Sequence, residues 1–235
     1  PHRHDGDTPS RRREDRARQL MSDFTISPRS LNYDLGGCHR CFAESLNGES
    51  WPDQPYPEIL SRLDRQQRAF YDGKPTSVLH PALPAGIVRN AKGVLSQPFE
   101  HHGVSLTIRG ALDAIAEFDD GTIGVIDFKS SIPNNYLCDC YRPQLCAYQW
   151  ALTNPAKTEP REVTKLGLLV VCPEAMADTN QGLAQLVSTT WIEVDYDEAW
   201  FADLLQEICD IAADPSSAEP EPECGWCGLR DQLGT

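Results

Sequence analysis

The spacing of apolar residues along the chain predicts four helices. Their expected ranges are Ser27 to Gly36, Pro57 to Gly73, residues 142–153 and residues 197–214. Ser27 is a suitable N-cap for the first helix. In the second helix, apolar positions 60, 63, 70 and 71 recur with helical spacing between a starting proline and a terminating glycine. The fourth helix carries one apolar face, made of Leu204, Leu205, Ile208 and Ile211.

Other segments have the alternating pattern of β-strands. Residues 94–131 predict three or four strands, with turns at His102-Gly103 and Asp120-Gly121. Residues 165–173 form an apolar run typical of a strand buried on both faces, and residues 189–196 alternate. The order of elements therefore predicts an α/β fold in which a mixed β-sheet is flanked by helices.

The length of the chain fits one ordinary domain, which we expect to span residues 21–235. Residues 1–20 are polar and charged, so we expect a disordered or weakly helical extension outside the fold, either native or added to the natural chain. No apolar run approaches the roughly 20 residues that a membrane span needs. We therefore expect a soluble, cytoplasmic protein without a membrane partner.

The formal net charge of −14 lowers the expectation of a nucleic-acid partner without excluding one. Net charge governs long-range steering and solubility. A local basic groove and a bound divalent cation can still govern a site.

Two acids and a lysine end consecutive apolar alternations. Asp113 follows the first, and the second ends in Asp127, Phe128 and Lys129. Two carboxylates and the Phe128 carbonyl can hold a hard cation such as Mg²⁺ or Mn²⁺. Such a metal with a nearby ammonium is what phosphodiester hydrolysis requires. The motif alone is still more often formed by polar strand ends and an exposed edge charge.

Four of the nine cysteines form two CxxC pairs near opposite ends of the chain, Cys38 with Cys41 and Cys224 with Cys227. This spacing is typical of a closed, tetrahedral Zn²⁺ site, and four thiolates also suit an iron–sulfur cluster. The other five lie mostly on apolar faces, which predicts a packing role; they are Cys138, Cys140, Cys146, Cys172 and Cys209.

The segments GALDAIAEF, GVIDFKSS and RPQLCAYQWAL together resemble the core of the PD-(D/E)XK nucleases in their RecB-like branch. The G-x-x-D, D-x-K and Q-x-x-x-Y elements of that core are matched by Gly110, Asp113, Asp127, Lys129, Gln144 and Tyr148. The resemblance implies a restriction-endonuclease-like fold and metal-dependent cleavage of DNA. It implies that the two aspartates bind the metal, that the lysine assists the nucleophile, and that Gln144 and Tyr148 line the site and contact DNA.

The cysteines extend this resemblance to the nucleases of CRISPR adaptation and of the AddB type. Those proteins bind a [4Fe-4S] cluster through one N-terminal cysteine and a group of C-terminal cysteines. The cluster joins the two ends of the domain. The present chain divides its ligands two and two. The resemblance therefore favours [4Fe-4S], while the spacing alone favours structural Zn²⁺.

The RecB-like pattern usually has a further metal ligand, a histidine, on a helix before the sheet. The chain has no clear match, and Asp64 is the candidate because it lies on the inward stripe of the second helix, where an unpaired carboxylate is costly. His80, His101 and His102 are rivals in loop or turn segments.

Two classes of function follow. The first is a Mg²⁺- or Mn²⁺-dependent deoxyribonuclease acting on single-stranded DNA or on DNA ends as an exonuclease. Its context would be repair, recombination, phage biology or CRISPR adaptation, with possible protein partners. The second is a non-catalytic nucleic-acid-binding or assembly subunit on the same fold. The presence of both acids and the lysine favours the enzyme, because binding alone does not require all three.

Overall fold

The computed structural model of the protein describes residues 22–49 and 57–233. The expected extension at residues 1–20 lies outside the described residues. In the described part, the α-helices are α1 (Pro28–Ser30), α2 (His39–Leu46), α3 (Glu58–Tyr71), α4 (Tyr136–Thr153), α5 (Glu198–Ala213) and α6 (Gly225–Leu233). The strands are β1 (Ser22–Ile26), β2 (Gly86–Asn90), β3 (Gly93–Leu95), β4 (Phe99–His101), β5 (Val104–Ala111), β6 (Ala114–Phe118), β7 (Ile123–Ser130), β8 (Val163–Thr179) and β9 (Gly182–Glu193).

These strands form two mixed sheets. In the first sheet, β5 pairs in parallel with β1 and antiparallel with β3 and β4. The second sheet has the order β2-β6-β7-β8-β9, and only β7 and β8 are parallel. The predicted α/β class with a mixed sheet flanked by helices is confirmed.

Strand β7 is buried on both faces, and its alternation separates two packing layers. Val125 packs in the larger hydrophobic cluster, with residues of α4 and α5. Ile126 and Phe128 pack in the second cluster with Tyr71 of α3, whose ring stacks on that of Phe128 at 5.5 Å between centroids. Side chains alternate across a strand, so Asp127 faces α4 together with Val125. The strand thereby places one carboxylate in an otherwise apolar layer.

Both predicted turns are present. The turn between β4 and β5 has positive φ at His102 (46°) and Gly103 (79°), and Gly121 in the β6–β7 turn also has positive φ (89°). Ser27 caps α1 as expected, because its side chain accepts from the Ser30 amide.

The fold differs from the sequence-based expectation in several places. Strands β1 and β2 and helices α2 and α6 were not predicted, and the region expected to hold three or four strands holds five, β3 to β7. The first expected helix, Ser27 to Gly36, is the short α1 followed by the π-helical segment Leu31–Leu35.

Helix α4 begins six residues earlier than expected, with Pro143 inside it. Strand β8 continues past Pro173, because a register shift between Pro173 and Ala175 accommodates the missing amide donor. The long β8–β9 hairpin that results exposes several apolar residues, among them Met176 and Leu183.

Candidate active site and cysteine centre

The two acids of the G-x-x-D and D-x-K segments lie side by side. Asp113 occupies the bend between β5 and β6, and Asp127 lies inside β7 with only 3% of its surface exposed. The Phe128 amide donates to Asp113 Oδ2 at 2.7 Å, so the bend is fastened directly to β7. Both acids and Lys129 line a cleft of about 640 Å³, to which α1, α3 and α4 also contribute.

Each carboxylate oxygen of Asp127 has its own polar neighbour. Gln144 Nε2 donates to Oδ1 at 3.0 Å. Lys129 Nζ lies 2.7 Å from Oδ2 but without hydrogen-bond alignment, so this buried oxygen has a charge beside it and no aligned donor. The Lys129 ammonium also lies 4.0 Å from the centre of the Tyr141 ring. An oxygen in this condition is suited to accept a further ligand.

Gln144 itself is oriented by the N-terminal part of the chain. Asn32, in the π-helical segment Leu31–Leu35, donates from Nδ2 to Gln144 Oε1 at 2.6 Å and accepts from the Gln144 amide at 3.2 Å. Gln144 Nε2 also lies 3.3 Å from the Tyr148 hydroxyl, which donates to the Ala111 carbonyl at 2.7 Å. A continuous chain of hydrogen bonds therefore leads from Asn32 to Asp127.

Gly110 of the G-x-x-D segment allows β5 to pass close to α1. A Cβ atom at this position would lie 2.6 Å from Pro28 Cδ and 3.4 Å from Tyr148 Cε1. The first distance is closer than packed atoms tolerate. A side chain here would push α1 or α4 away from the cleft.

Arg68 on α3 links Asp64 to Asp113. Its Nε donates to the Asp64 carboxylate at 3.0 and 3.1 Å, and its Nη2 donates to Asp113 Oδ1. Its Nη1 donates to the Leu112 carbonyl at 2.9 Å. Asp64 thus lines the same cleft as the two buried acids, although its side chain is 40% exposed and already paired with Arg68.

Sequence reasoning missed Arg68 and Asn32. The spacing of Asp64 and Arg68, one turn apart on α3, was a usable signal, because an acid and a base at i and i+4 face each other. No comparable signal marks Asn32, whose partner Gln144 is 112 residues away.

None of the three rival histidines lines the cleft. His80 accepts from the Ala82 amide at 3.3 Å in the loop before β2. His101 and His102 lie at the β4–β5 turn, and both face Asp210 of α5.

The four cysteines of the CxxC pairs converge from both ends of the described chain, with their sulfur atoms all within 4.8 Å of one another. Three of the sulfur pairs are 3.6 Å apart: Cys38–Cys227, Cys41–Cys224 and Cys41–Cys227. Helix α6 also joins α2 through ion pairs of Arg230 with Glu44 and, at 3.5 Å, of Arg40 with Asp231. The two ends of the described chain therefore meet at a potential metal centre.

The remaining five cysteines divide into two groups. Cys146 and Cys209 are fully buried in the larger hydrophobic cluster, as a packing role predicts. Cys138, Cys140 and Cys172 are only partly buried.

The model of the PD-(D/E)XK nuclease superfamily matches residues 21–232. The chain belongs to this superfamily. Its membership implies a nucleic-acid substrate and hydrolysis that depends on a divalent metal. A similar solved structure, described as "Crystal structure of SSO0001", has 19% sequence identity and a TM-score of 0.45 over 86% of this chain and 83% of that chain. No curated protein matches the chain significantly. Among the described residues, no helix has the length and apolar character to cross a membrane.

The surroundings of Asp113 and Asp127 in the nuclease cleft disfavour a negative charge on each of them. Burial and, after it, the charge of Asp127 raise the pKa of Asp113 from 3.8 to about 7. Burial likewise raises the pKa of Asp127, although Lys129 opposes this effect. Two adjacent carboxylates that are both costly to ionise suit a small divalent cation of high charge density. The residues present therefore fit the divalent metal that the superfamily uses.

The Cys38 thiol is the most acidic of the clustered cysteines that show a shift. Burial alone would raise its pKa, but donation from the Cys41 and Glu221 amides lowers it to about 7. The Glu221 amide lies 3.5 Å from the Cys38 sulfur. Burial raises the pKa of Cys227 to about 11. A bound cation would favour the thiolate form of every ligand, so metal binding here must release protons.

The raised pKa of Asp113 predicts a pH-dependent effect of removing its charge. The native state holds this proton more tightly than the unfolded state, so the stabilisation is full below pH 3.8 and is lost as the pH rises through about 7. Without Mg²⁺ or Mn²⁺, Asp113→Asn should therefore become more stable relative to wild type between about pH 5 and pH 8. Melting temperatures across this range measure the difference.

The matched control for this measurement is Asp178→Asn in the exposed end of the β8–β9 hairpin. Its melting temperature should stay close to that of wild type, because the side chain is exposed and lies outside the cleft. A difference between Asp113→Asn and wild type that stays constant from pH 5 to pH 8 would contradict the predicted pKa shift.

Proposed function

We propose that the chain is a DNA nuclease of the RecB-like branch that hydrolyses phosphodiester bonds with Mg²⁺ or Mn²⁺. The observation that carries this proposal is the convergence of Asp113, Asp127 and Lys129 on one cleft. A purely structural pair of strand ends gives no reason for two acids to be buried side by side, because that burial is unfavourable for both of them.

The residues that would hold the cation are Asp113, Asp127 and the Phe128 carbonyl, with Asp64 as a further ligand. When bound, the metal neutralises phosphoryl oxygens and lowers the pKa of a water molecule. Gln144 keeps the Asp127 carboxylate in one orientation through its bond to Oδ1. Oδ2 lies against Lys129, so a metal bound there would share this oxygen with the ammonium. Asn32 and Tyr148 act on the acid indirectly, because they position Gln144.

Lys129 is the group that would act on the attacking water. Its ammonium lies beside Asp127 Oδ2, at the edge of the cleft, and its side chain is 20% exposed. A water bound near that oxygen would be within reach of the ammonium, which can orient it. The same charge would offset the negative charge that develops on the phosphate in the transition state.

The proposed substrate is single-stranded DNA or a DNA end. Arg29 and Lys129 line the cleft together with Tyr141. Cationic side chains beside aromatic ones are the usual means by which proteins hold single strands. Because the lining of the cleft has as many acids as cations and the net charge is −14, a bound metal would be the principal attraction for the phosphates. Repair, recombination, phage biology and CRISPR adaptation are the contexts in which such substrates arise.

Replacing Asp127 tests the catalytic proposal directly. Asp127→Ala should lower Mg²⁺-dependent cleavage of labelled single-stranded DNA by roughly 1000-fold, since several kcal/mol of charge stabilisation by the metal is lost. Cleavage rates at equal concentrations of folded protein provide the measurement. Asp178→Asn serves as the matched control and should cut at the wild-type rate, and an Asp127→Ala protein that does the same would remove Asp127 from the mechanism.

Asp64 distinguishes a metal ligand from an ion-pair partner. As a ligand, its change to Asn should slow cleavage about 10-fold or more, partly restored by high Mn²⁺, with little loss of stability. As a partner of Arg68 only, the change should lower the melting temperature and leave cleavage per folded molecule unchanged. We expect the first result, because Asp64 lines the cleft. The second result would mean that a water molecule, and not Asp64, fills the position of the further metal ligand on the helix before the sheet.

We further propose that the four cysteines hold one metal centre that joins the ends of a single domain spanning residues 21–235. The sulfur separations of 3.6 Å support Zn²⁺, because four thiolates at 2.3 Å from one tetrahedral ion are about 3.8 Å apart. A [4Fe-4S] cluster, which the resemblance to CRISPR-adaptation nucleases favours, binds each thiolate to a different iron and needs wider separations.

Loss of one thiolate should release the metal and destabilise the fold. Cys224→Ser is expected to lower both the melting temperature and the metal content, since the centre closes a loop of nearly the whole described chain. Cys172→Ser is the control, because Cys172 lies outside the centre. Metal analysis and the absorption spectrum of anaerobically purified protein provide the readout. A colourless zinc-loaded sample supports Zn²⁺, a broad visible band supports the cluster, and unchanged metal in Cys224→Ser contradicts the shared centre.

One observation favours the alternative of a non-catalytic nucleic-acid-binding subunit. The guanidinium of Arg68 is already paired with Asp113, in the place of the charge that a metal would supply. If the chain is such a binding subunit, DNA should bind without cleavage in Mg²⁺ and in Mn²⁺, and the Asp127→Ala protein should bind it as wild type does.

A further inference from the structure

A group of potential metal ligands lies outside the cleft and the cysteine centre. His101 and His102 are at the tip of the β4–β5 hairpin, and Asp210 is on α5. His102 Nδ1 is 2.6 Å from Asp210 Oδ1, and His101 Nε2 is 3.4 Å from the same oxygen. The two imidazole rings are 3.8 Å apart between centroids. One ligand atom from each residue falls within 4.8 Å of the others.

The turn that carries these histidines places His102 in the left-handed region of backbone conformation. His101 pairs with Val104, so His102 and Gly103 form a two-residue hairpin loop with positive φ at both positions. Such loops strongly favour Asn-Gly or Asp-Gly. His102 is the only non-glycine residue with positive φ in the part of the chain that the structure describes. Histidine, like Asn and Asp, tolerates this backbone region, and the turn directs the His102 ring at Asp210 of α5, which is 108 residues away in the sequence.

The ligand set determines which metal would bind. Two imidazoles and one carboxylate suit Zn²⁺, Ni²⁺ or Cu²⁺, whereas Mg²⁺ prefers oxygen ligands alone. Three protein ligands leave a fourth tetrahedral position open to water. Ligand atoms around Zn²⁺ are about 3.4 Å apart. The present separations therefore require only small side-chain movements.

The position of the cluster is compatible with access from solution. The side chains of His102 and Asp210 are 67% and 54% exposed, and that of His101 is 23% exposed. Asp210 and the two histidines come from elements far apart in the chain, so an ion held by all three would fix the hairpin to α5. The hairpin belongs to β5, which ends at the bend that carries Asp113.

We propose that His101, His102 and Asp210 form a transition-metal site, with Zn²⁺ as its preferred occupant. The ion links the β4–β5 hairpin to α5 and keeps one coordination position open. It is chemically distinct from both other centres, since the cleft offers oxygen ligands and the cysteine centre offers sulfur.

Cobalt substitution separates this site from the others. Full-length protein with its cysteine centre loaded, in excess Mg²⁺, should bind one Co²⁺ with the d–d absorption of a tetrahedral nitrogen and oxygen site. The sulfur-to-cobalt charge transfer of a thiolate site should be absent, and Zn²⁺ should displace the Co²⁺.

His102→Asn is the decisive variant, because asparagine suits the turn and lacks the imidazole. It should bind Co²⁺ at least about 100-fold more weakly, since losing even a partner that merely supports a ligand can cost that much. Its melting temperature without added transition metal and its Mg²⁺-dependent cleavage should match wild type. His101→Gln should lose affinity to a similar extent.

The control variant is His39→Gln. His39 lies on α2, and its Nε2 is 3.6 Å from a carboxylate oxygen of Glu207, which is on α5 as Asp210 is. This variant should bind Co²⁺ as wild type does. The proposal is overturned if wild-type protein shows no such cobalt spectrum, or if the affinity is unchanged in the His101 and His102 variants. It is overturned equally if His39→Gln is the variant that loses the ion.

Discussion

Two carboxylates lie side by side in this fold, and the cost of removing both of them from water is the constraint on which the rest of the site depends. Burial raises the pKa of both Asp113 and Asp127, which means that the charged form of each carboxyl is disfavoured. The groups around them donate hydrogen bonds or carry positive charge: the Phe128 amide, Gln144, Lys129 and Arg68. These donors and charges offset part of the cost of the two carboxylates, and a divalent cation would offset more of it.

The secondary structure delivers these groups from four separate parts of the chain. Strand β7 supplies Asp127 and Lys129, α3 supplies Arg68, and α4 supplies Gln144. The N-terminal π-helical segment supplies Asn32, which orients Gln144. Because β7 has apolar layers on both faces, Asp127 and Lys129 lie on a rigid support. The Phe128 amide fastens the bend that carries Asp113 to the same strand.

The sequence was informative where periodicity or spacing is local. The alternation around Asp113 and Asp127, the stripe of α3 and the CxxC pairs depend on neighbours within a few residues, so the main helices, most of the strands and the mixed α/β class could be predicted. Local spacing also marks the pair of Arg68 with Asp64, but the bond from Arg68 to Asp113, 45 residues away, depends on tertiary packing. The same holds for Asn32, whose partner Gln144 is 112 residues away. Phe70 illustrates the same limit, since it fits the helical stripe and yet is 55% exposed.

The meeting of α2 and α6 has a consequence for how the protein matures. The segment that carries Asn32 packs against α2, which begins directly after Cys38 and carries Cys41. Cys224 and Cys227 leave the ribosome only after every element of both sheets has been synthesised. The four-cysteine group can therefore assemble only late in synthesis, and a shorter nascent chain that contains Asp113 and Asp127 lacks the contact between α2 and α6. The order of synthesis thus delays the joining of the two ends until the sheets between them exist.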